Sequence, residues 1–207
     1  YQINFSNVVI SNVNNVDVSS SALETGLLTV GEAVKIVIRA KINLQGPMVS
    51  PVTAGLMNDG LRLSDVPLAS PYADGLEIAA SVLQTGGSSV LGLEEDDIVD
   101  WVFVELRDAA DATIVIASRS VLLQRDGDVV DLDGTSNLEI ELAPGNYYLV
   151  VNHRNHLGVM TSDAIGLTPT SPLLDLTSDI SKILGGANGV KTLGSGELAL
   201  FGGDYSQ

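Results

Sequence analysis

Residues 98–151 read IVDWVFVELRDAADATIVIASRSVLLQRDGDVVDLDGTSNLEIELAPGNYYLVV, and this stretch decides the fold. Apolar, β-branched runs alternate here with short turn sequences, as is typical of strands. Asp126-Gly127 is typical of a hairpin, because a type I′ turn needs a positive φ at both central positions. Pro144-Gly145 fits the centre of a type II turn. The stretch therefore predicts a series of β-hairpins.

Outside this stretch, the clearest strand pattern lies in residues 33–44, where apolar side chains recur at every second position. Residues 45–75 contain four prolines, which interrupt every regular element, so we expect a long ordered excursion rather than an ordinary connection. Residues 76–90 fit the periods of both a strand and a helix, and the strand is favoured.

The composition is that of a folded protein with an acidic surface. The hydrophobic fraction of 45% and the charged fraction of 17% argue against disorder. The net charge of −16 disfavours nucleic acid and anionic membranes as partners, because both attract basic surfaces. No apolar run approaches the roughly 18 residues that span a bilayer, so no membrane insertion is expected. The chain has no cysteine, which excludes disulfides and thiolate chemistry.

The first residues have a strand pattern of their own. Tyr1, Ile3 and Phe5 alternate with polar residues, which predicts a strand with one apolar face. The phase then changes to Val8 and Ile10, and a connector rich in asparagine and serine follows. Such a strand can complete the sheet of a neighbouring subunit, because main-chain hydrogen bonds supply much of the affinity in strand addition.

Together the patterns predict an all-β fold: an Ig-like or transthyretin-like β-sandwich with long ordered loops and an exchangeable amino-terminal strand. Residues 1–25 are expected to be the strand segment that is donated to a neighbour. Residues 26–207, which contain no linker or internal repeat, are expected to form one sandwich domain.

One run of acidic residues is a candidate calcium site, since Ca²⁺ takes roughly 6–8 oxygen ligands. The run comprises Asp126, Asp128, Asp131 and Asp133. Its spacing departs from that of an EF-hand, and tight-turn chemistry explains the same residues. A second acidic cluster comprises Glu94 to Asp97 together with Asp100, and it is open to the same two interpretations.

Both histidines lie in the sequence His153-Arg154-Asn155-His156, directly after an apolar strand. On a strand the two rings would point to opposite faces, and no third His or Cys is near in sequence, so zinc is disfavoured. We interpret the four residues as a structural corner.

No sequence motif supports catalysis. There is no G-x-S-x-G nucleophile elbow, and no lysine accompanies the paired glycines as in a phosphate-binding loop. Aromatic residues make up 4% of the chain, and Trp101, the single tryptophan, lies in the most apolar strand, which favours a core position over a sugar-stacking one. The chain is therefore not expected to be an enzyme.

Residues 99–165, from VDWVFVELRD to VMTSDAI, and residues 41–72, KINLQGPMVSPVTAGLMNDGLRLSDVPLASPY, carry a family resemblance. They resemble the carboxy-terminal β-sandwich module of large secreted surface proteins of Bacteroidota, of the type IX secretion type. The resemblance implies an extracellular, non-catalytic sandwich, which a dockerin-like calcium repeat or a sorting domain often follows. The sequence stops at GGDYSQ, residues 202–207, where such a repeat would start. No dockerin-type calcium site is therefore assigned. The order of strands and turns is also similar to that of transthyretin-like and collagen-adhesin B-type sandwiches.

Two functions fit these observations. The first is an extracellular or cell-surface structural protein whose main partner is itself, polymerising by strand complementation into a filament or sheath without a required cofactor. The second is a glycan-binding or calcium-stabilised spacer module of a larger surface adhesin or enzyme, with a glycan or cell-surface partner.

Overall fold

The computed structural model describes residues 34–84 and 94–203. The chain divides into two compact units, Tyr1–Glu32 and Ala33–Gln207, and the first lies outside the described residues. The residues predicted to be exchanged also lie outside them: Tyr1, Ile3, Phe5, Val8 and Ile10. Strand exchange therefore stays a prediction.

The described chain is almost entirely strands, loops and short 3-10 turns, which confirms the all-β sandwich. The described strands are β1 (Ile36–Ile38), β2 (Ala40–Lys41), β3 (Ile98–Asp108), β4 (Val115–Gln124), β5 (Val129–Val130), β6 (Leu138–Ile140), β7 (Gly145–His153), β8 (His156–Met160), β9 (Ile165–Leu167), β10 (Leu174–Asp175), β11 (Lys191–Thr192) and β12 (Leu198–Ala199). Among the described residues, no helix is long and apolar enough to cross a membrane.

The main sheet is antiparallel and has the strand order β5-β4-β3-β7-β8, with β9 pairing with β7. It contains the predicted hairpins, but two of the predicted turn types are wrong. Asp126-Gly127 lies in the turn between β4 and β5, where Gly127 has a φ of +95° but Asp126 has no positive φ, so the turn is not type I′. Gly145 also lacks the positive φ of a type II turn. Small sheets formed by β1 with β6 and by β2 with β10 contribute to the same core.

The segment predicted as one strand over residues 33–44 contributes to two sheets. Its inward face is buried from Ile36 to Leu44, with Ile36, Ile38, Ala40, Ile42 and Leu44 at most 2% exposed, whereas Val34, predicted on the same face, is 58% exposed. The strand is interrupted at Arg39: β1 pairs antiparallel with β6, whereas β2 pairs parallel with β10.

The excursion predicted for residues 45–75 extends to residue 84 and covers the second face of the main sheet. Val66, Ile78 and Leu83 form a separate core with Trp101 and its neighbours in the sheet. The Trp101 indole is fully buried, and its Nε1 donates to the Pro67 carbonyl at 2.8 Å. The central strand is apolar on both faces at this end because a core packs against each face.

The strand favoured for residues 76–90 is only partly present: Glu77 forms an antiparallel bridge with Ala69, whereas Ala80–Gln84 form a 3-10 helix. Beyond the bridge, Leu83 packs into the second core. Residues 85–93 lie outside the described residues.

Candidate functional site

The outer side of β4 is partly unpaired among the described residues. β3 pairs with the inner side from Val115 to Gln124, with a register shift at Ile116, whereas β5 pairs only with Leu122–Leu123. The Ser120 N–H is capped by Asp74 Oδ2 at 2.8 Å. Within residues 34–84 and 94–203, no strand pairs with the outer side of Val115–Arg119. This stretch is named the open edge.

The backbone alternation of β4 shows which groups the open edge presents. Ser120 and Gln124 both donate their N–H groups away from β3, to Asp74 and to the Asp128 carbonyl respectively. Because backbone groups alternate between the two sides of a strand, Ser118 also directs its N–H and C=O outward. An incoming strand can pair with both groups.

The open edge lies across a groove from β6. The Arg119 side chain reaches across: its Nη1 donates to the Glu139 carbonyl at 3.4 Å, and its Nη2 lies 2.6 Å from Asp131 Oδ1. The groove has a volume of about 370 Å³, and Ser118 and Ile140 also line it. The two strands are therefore neighbours without being paired to each other.

Apolar surface accompanies the open edge. Ile114, Val115 and Ile116 are consecutive and are 50%, 48% and 42% exposed. Ala117 and Ile140 are only partly buried, although both pack against the main core. The core is therefore incompletely covered along this groove, which leaves room for apolar side chains from an added strand.

The residues predicted to form a corner, His153 to His156, make the turn between β7 and β8. Arg154 Nη2 contacts both oxygens of the buried Asp100, at 3.0 and 2.9 Å. His153 Nε2 lies 3.2 Å from Asp100 Oδ2. Burial raises the pKa of Asp100, but the His153 hydrogen bond and the Arg154 charge outweigh it, so that pKa lies below its usual value.

The hydrogen bonds fix the tautomers of both rings. The Gly46 N–H donates to His156 Nε2 at 3.2 Å, so His156 carries its proton on Nδ1 and donates it to His153 Nδ1 at 2.9 Å. His153 Nδ1 also accepts from the Asn155 N–H at 3.1 Å, which leaves its proton on Nε2, facing Asp100. Each ring nitrogen has a protein partner, so the turn is held by its own side chains.

This corner predicts a loss of stability in acid. Burial and the neighbouring His153 lower the pKa of His156 to about 4, whereas an unfolded histidine has a pKa of about 6.5. Between these values the unfolded chain binds a proton that the folded chain does not, so the free energy of unfolding falls as the pH decreases from about 6.5 to 4. Urea unfolding at several pH values measures this slope. The His156→Gln variant should have a shallower slope in that window, and an unchanged slope would contradict the account.

Each of the four aspartates of the calcium prediction contacts a protein partner. Lys41 Nζ lies 2.8 Å from Asp126 Oδ2 and 3.5 Å from Asp128 Oδ1. Asp131 pairs with Arg119, and Asp133 accepts the N–H groups of the turn that follows it. In the described part of the chain, no group of three or more His, Asp or Glu side chains could hold a metal ion. Calcium therefore stays a prediction.

Two residues of the second acidic cluster lie in different environments. Asp97 belongs to a buried cluster of ion pairs that the sequence did not reveal. Arg62 and Arg125 are fully buried. Arg62 Nε lies 3.0 Å from Asp59 Oδ2, and its Nη1 lies 3.1 Å from Asp97 Oδ1. Arg125 Nε lies 3.7 Å from Asp59 and donates to a loop carbonyl. Asp100 belongs instead to the histidine corner.

These features define an all-β sandwich whose main sheet has an open edge and whose loops are held by internal ion pairs. Comparisons of the chain with protein-family models, with curated proteins and with solved structures found no match. Inferences about function therefore rest on the chain's own geometry.

Proposed function

We propose that this chain is a non-catalytic extracellular structural protein that self-associates by β-strand complementation into a surface filament or sheath. The open edge of β4 is the observation that carries the proposal. An unpaired edge beside exposed apolar residues favours the addition of another strand, unless charges, proline or a covering loop protect it. Val115–Ser118 contains no charge and no proline, and no described loop pairs with it, although its pairing with β3 has a register shift at Ile116.

The neighbouring part of the same edge is protected. Asp74 caps the Ser120 N–H, and β5 pairs with the next residues along the strand. The exposed stretch is therefore limited to one segment of β4, which is consistent with a site for one specific strand rather than with general aggregation.

The charge of the chain favours a particular kind of contact between copies. At a net charge of −16, two copies repel each other at most orientations. Residues 1–16 contain no charged side chain, so this segment can approach another copy without adding acidic groups to the contact. Head-to-tail donation of one strand to the next copy yields a filament when the rotation between copies does not close a ring.

Deletion of residues 1–20 tests the proposal. We expect the full chain to assemble and the shortened chain to remain monomeric, because the donor strand is removed while the described sandwich is kept. Electron microscopy and light scattering measure the two states, and circular dichroism checks that the shortened chain is folded. A second variant exchanges Ile3 and Phe5 for threonine. Threonine favours strands but has less apolar surface, so this variant should assemble more weakly than the full chain.

Equal assembly of the full and shortened chains would contradict strand donation. A full chain that is monomeric under all conditions would favour the glycan-binding or calcium-stabilised spacer instead. That alternative predicts binding on a glycan array or a thermal midpoint that falls when a chelator is added.

A further inference from the structure

We propose that the groove between β4 and β6 is the acceptor site, and that its occupant is the segment of residues 1–10 from a second copy of this chain. This inference rests on the proposed function and assigns both sides of the contact. It predicts a strand inserted between two existing strands rather than one added to the outside of the sandwich.

The backbone groups along the groove match the needs of an inserted strand. Ser118 on β4 directs its N–H and C=O into the groove, and the Glu139 carbonyl on β6 faces it from the other side. Neighbouring strands lie about 4.8 Å apart, so one inserted strand needs edges separated by about twice that distance. Arg119 crosses the gap with the length of its side chain, whereas the two backbones are not bonded to each other.

The side chains along the groove also match an amphipathic strand. Ile140 lines the groove, and both Ile140 and Ala117, which is next to Ser118 in β4, pack against the main core. Tyr1, Ile3 and Phe5 would share one face of an inserted strand and fill this apolar side, because side chains alternate between faces. Gln2 and Asn4 would then lie on the opposite, polar face, which is also the face that carries the exposed Ser118 side chain.

Charge complementarity favours this segment over an acidic partner. Lys35 and Arg119 line the groove together with Asp131, Glu139 and Glu141, so its charges are nearly balanced. Lys35 pairs with Glu139 at 3.0 Å, and Arg119 pairs with Asp131. A donor without charged side chains does not compete for these pairs, although it must displace the Arg119 bond to the Glu139 carbonyl, whereas a segment that carried carboxylates would compete for the two cations.

Disulfide trapping between two copies tests the assignment, because the full chain has no cysteine of its own. One copy carries Gln2→Cys, Asn4→Cys or Ser6→Cys, and the other carries Ser118→Cys and a tag that changes its size. The Ser195→Cys variant is the matched acceptor control, since Ser195 is an exposed serine remote in sequence from the groove. The copies are mixed, oxidised and separated by size without reductant.

We expect at least one donor position to couple to Ser118→Cys about tenfold or more above Ser195→Cys, because docking raises the effective concentration to the millimolar range. Assembly without this preference would overturn the acceptor site and leave the proposed function standing. In the double variant Asn4→Cys/Ser118→Cys, a cross-link that forms only within one chain would show that the segment binds the groove of its own chain, which contradicts a second copy as the occupant. Absence of both assembly and coupling would overturn the proposed function as well.

Discussion

The Arg62→Met variant is expected to lose about 3–5 kcal/mol of unfolding free energy, because removing one partner leaves the others charged and buried. Arg62 is 0% exposed and contacts Asp59 and Asp97. It also donates to the Leu83 carbonyl at 2.8 Å, so its loss also releases the loop that covers the second core. Burial already raises the pKa of Asp97 despite the opposing charge of Arg62. The loss is large beside a typical total stability of about 5–15 kcal/mol.

Urea unfolding of the full chain measures this loss. The Arg119→Met variant is the control, because the same substitution there removes a partly exposed ion pair with Asp131 and should cost no more than about 1 kcal/mol. Losses of similar size in the two variants would show that the buried ion cluster contributes no more to the unfolding free energy than the partly exposed pair does.

The Ser118→Pro variant is expected to abolish assembly while the subunit stays folded. Proline is tolerated on an edge strand where the missing N–H would face outward, and the Ser118 N–H does so. The same substitution removes one of the groups that an incoming strand must bond and places the proline ring in its path. Electron microscopy measures assembly, and circular dichroism measures folding.

The Ser118→Thr variant is the matched control for that experiment. Threonine keeps the N–H and has a higher strand propensity than serine, so assembly should persist. Filaments of normal length in Ser118→Pro would show that the open edge of β4 is not where copies join.

Much of the fold could be predicted because it depends on local patterns. The alternation in residues 33–44 identified the buried face from Ile36 to Leu44, and Asp126-Gly127 marked the hairpin between β4 and β5. Both signals depend on the side-chain period and on the φ of single residues, which the sequence carries directly. The long apolar strand that contains Trp101 likewise indicated burial on both faces.

What could not be predicted depends on contacts between distant residues. The sequence showed Arg62 and Asp97 as ordinary charged residues, and only the folded loop places them together. The apolar periods of residues 76–90 indicated burial but not the 3-10 helix, because the available partner was a loop-covered face rather than a sheet edge. The turn aspartates resembled a calcium site because their pairing with Lys41 joins elements far apart in the chain.

The open edge also could not be predicted from the sequence. Residues 115–119 have the pattern of any β-branched strand, and whether a strand lies beside them depends on the length and position of β5. The amino-terminal pattern of Tyr1, Ile3 and Phe5 predicted a donor strand without indicating its acceptor. The groove between β4 and β6 supplies a candidate for the other half of that contact.

Light scattering on the full chain beside the variant lacking residues 1–20, over a range of concentrations, tests strand complementation most directly. The full chain should reach masses that are multiples of 21.6 kDa and that rise with concentration, while the shortened chain stays at the mass of one copy. A full chain that remains at 21.6 kDa throughout, or a shortened chain that assembles equally well, would contradict it.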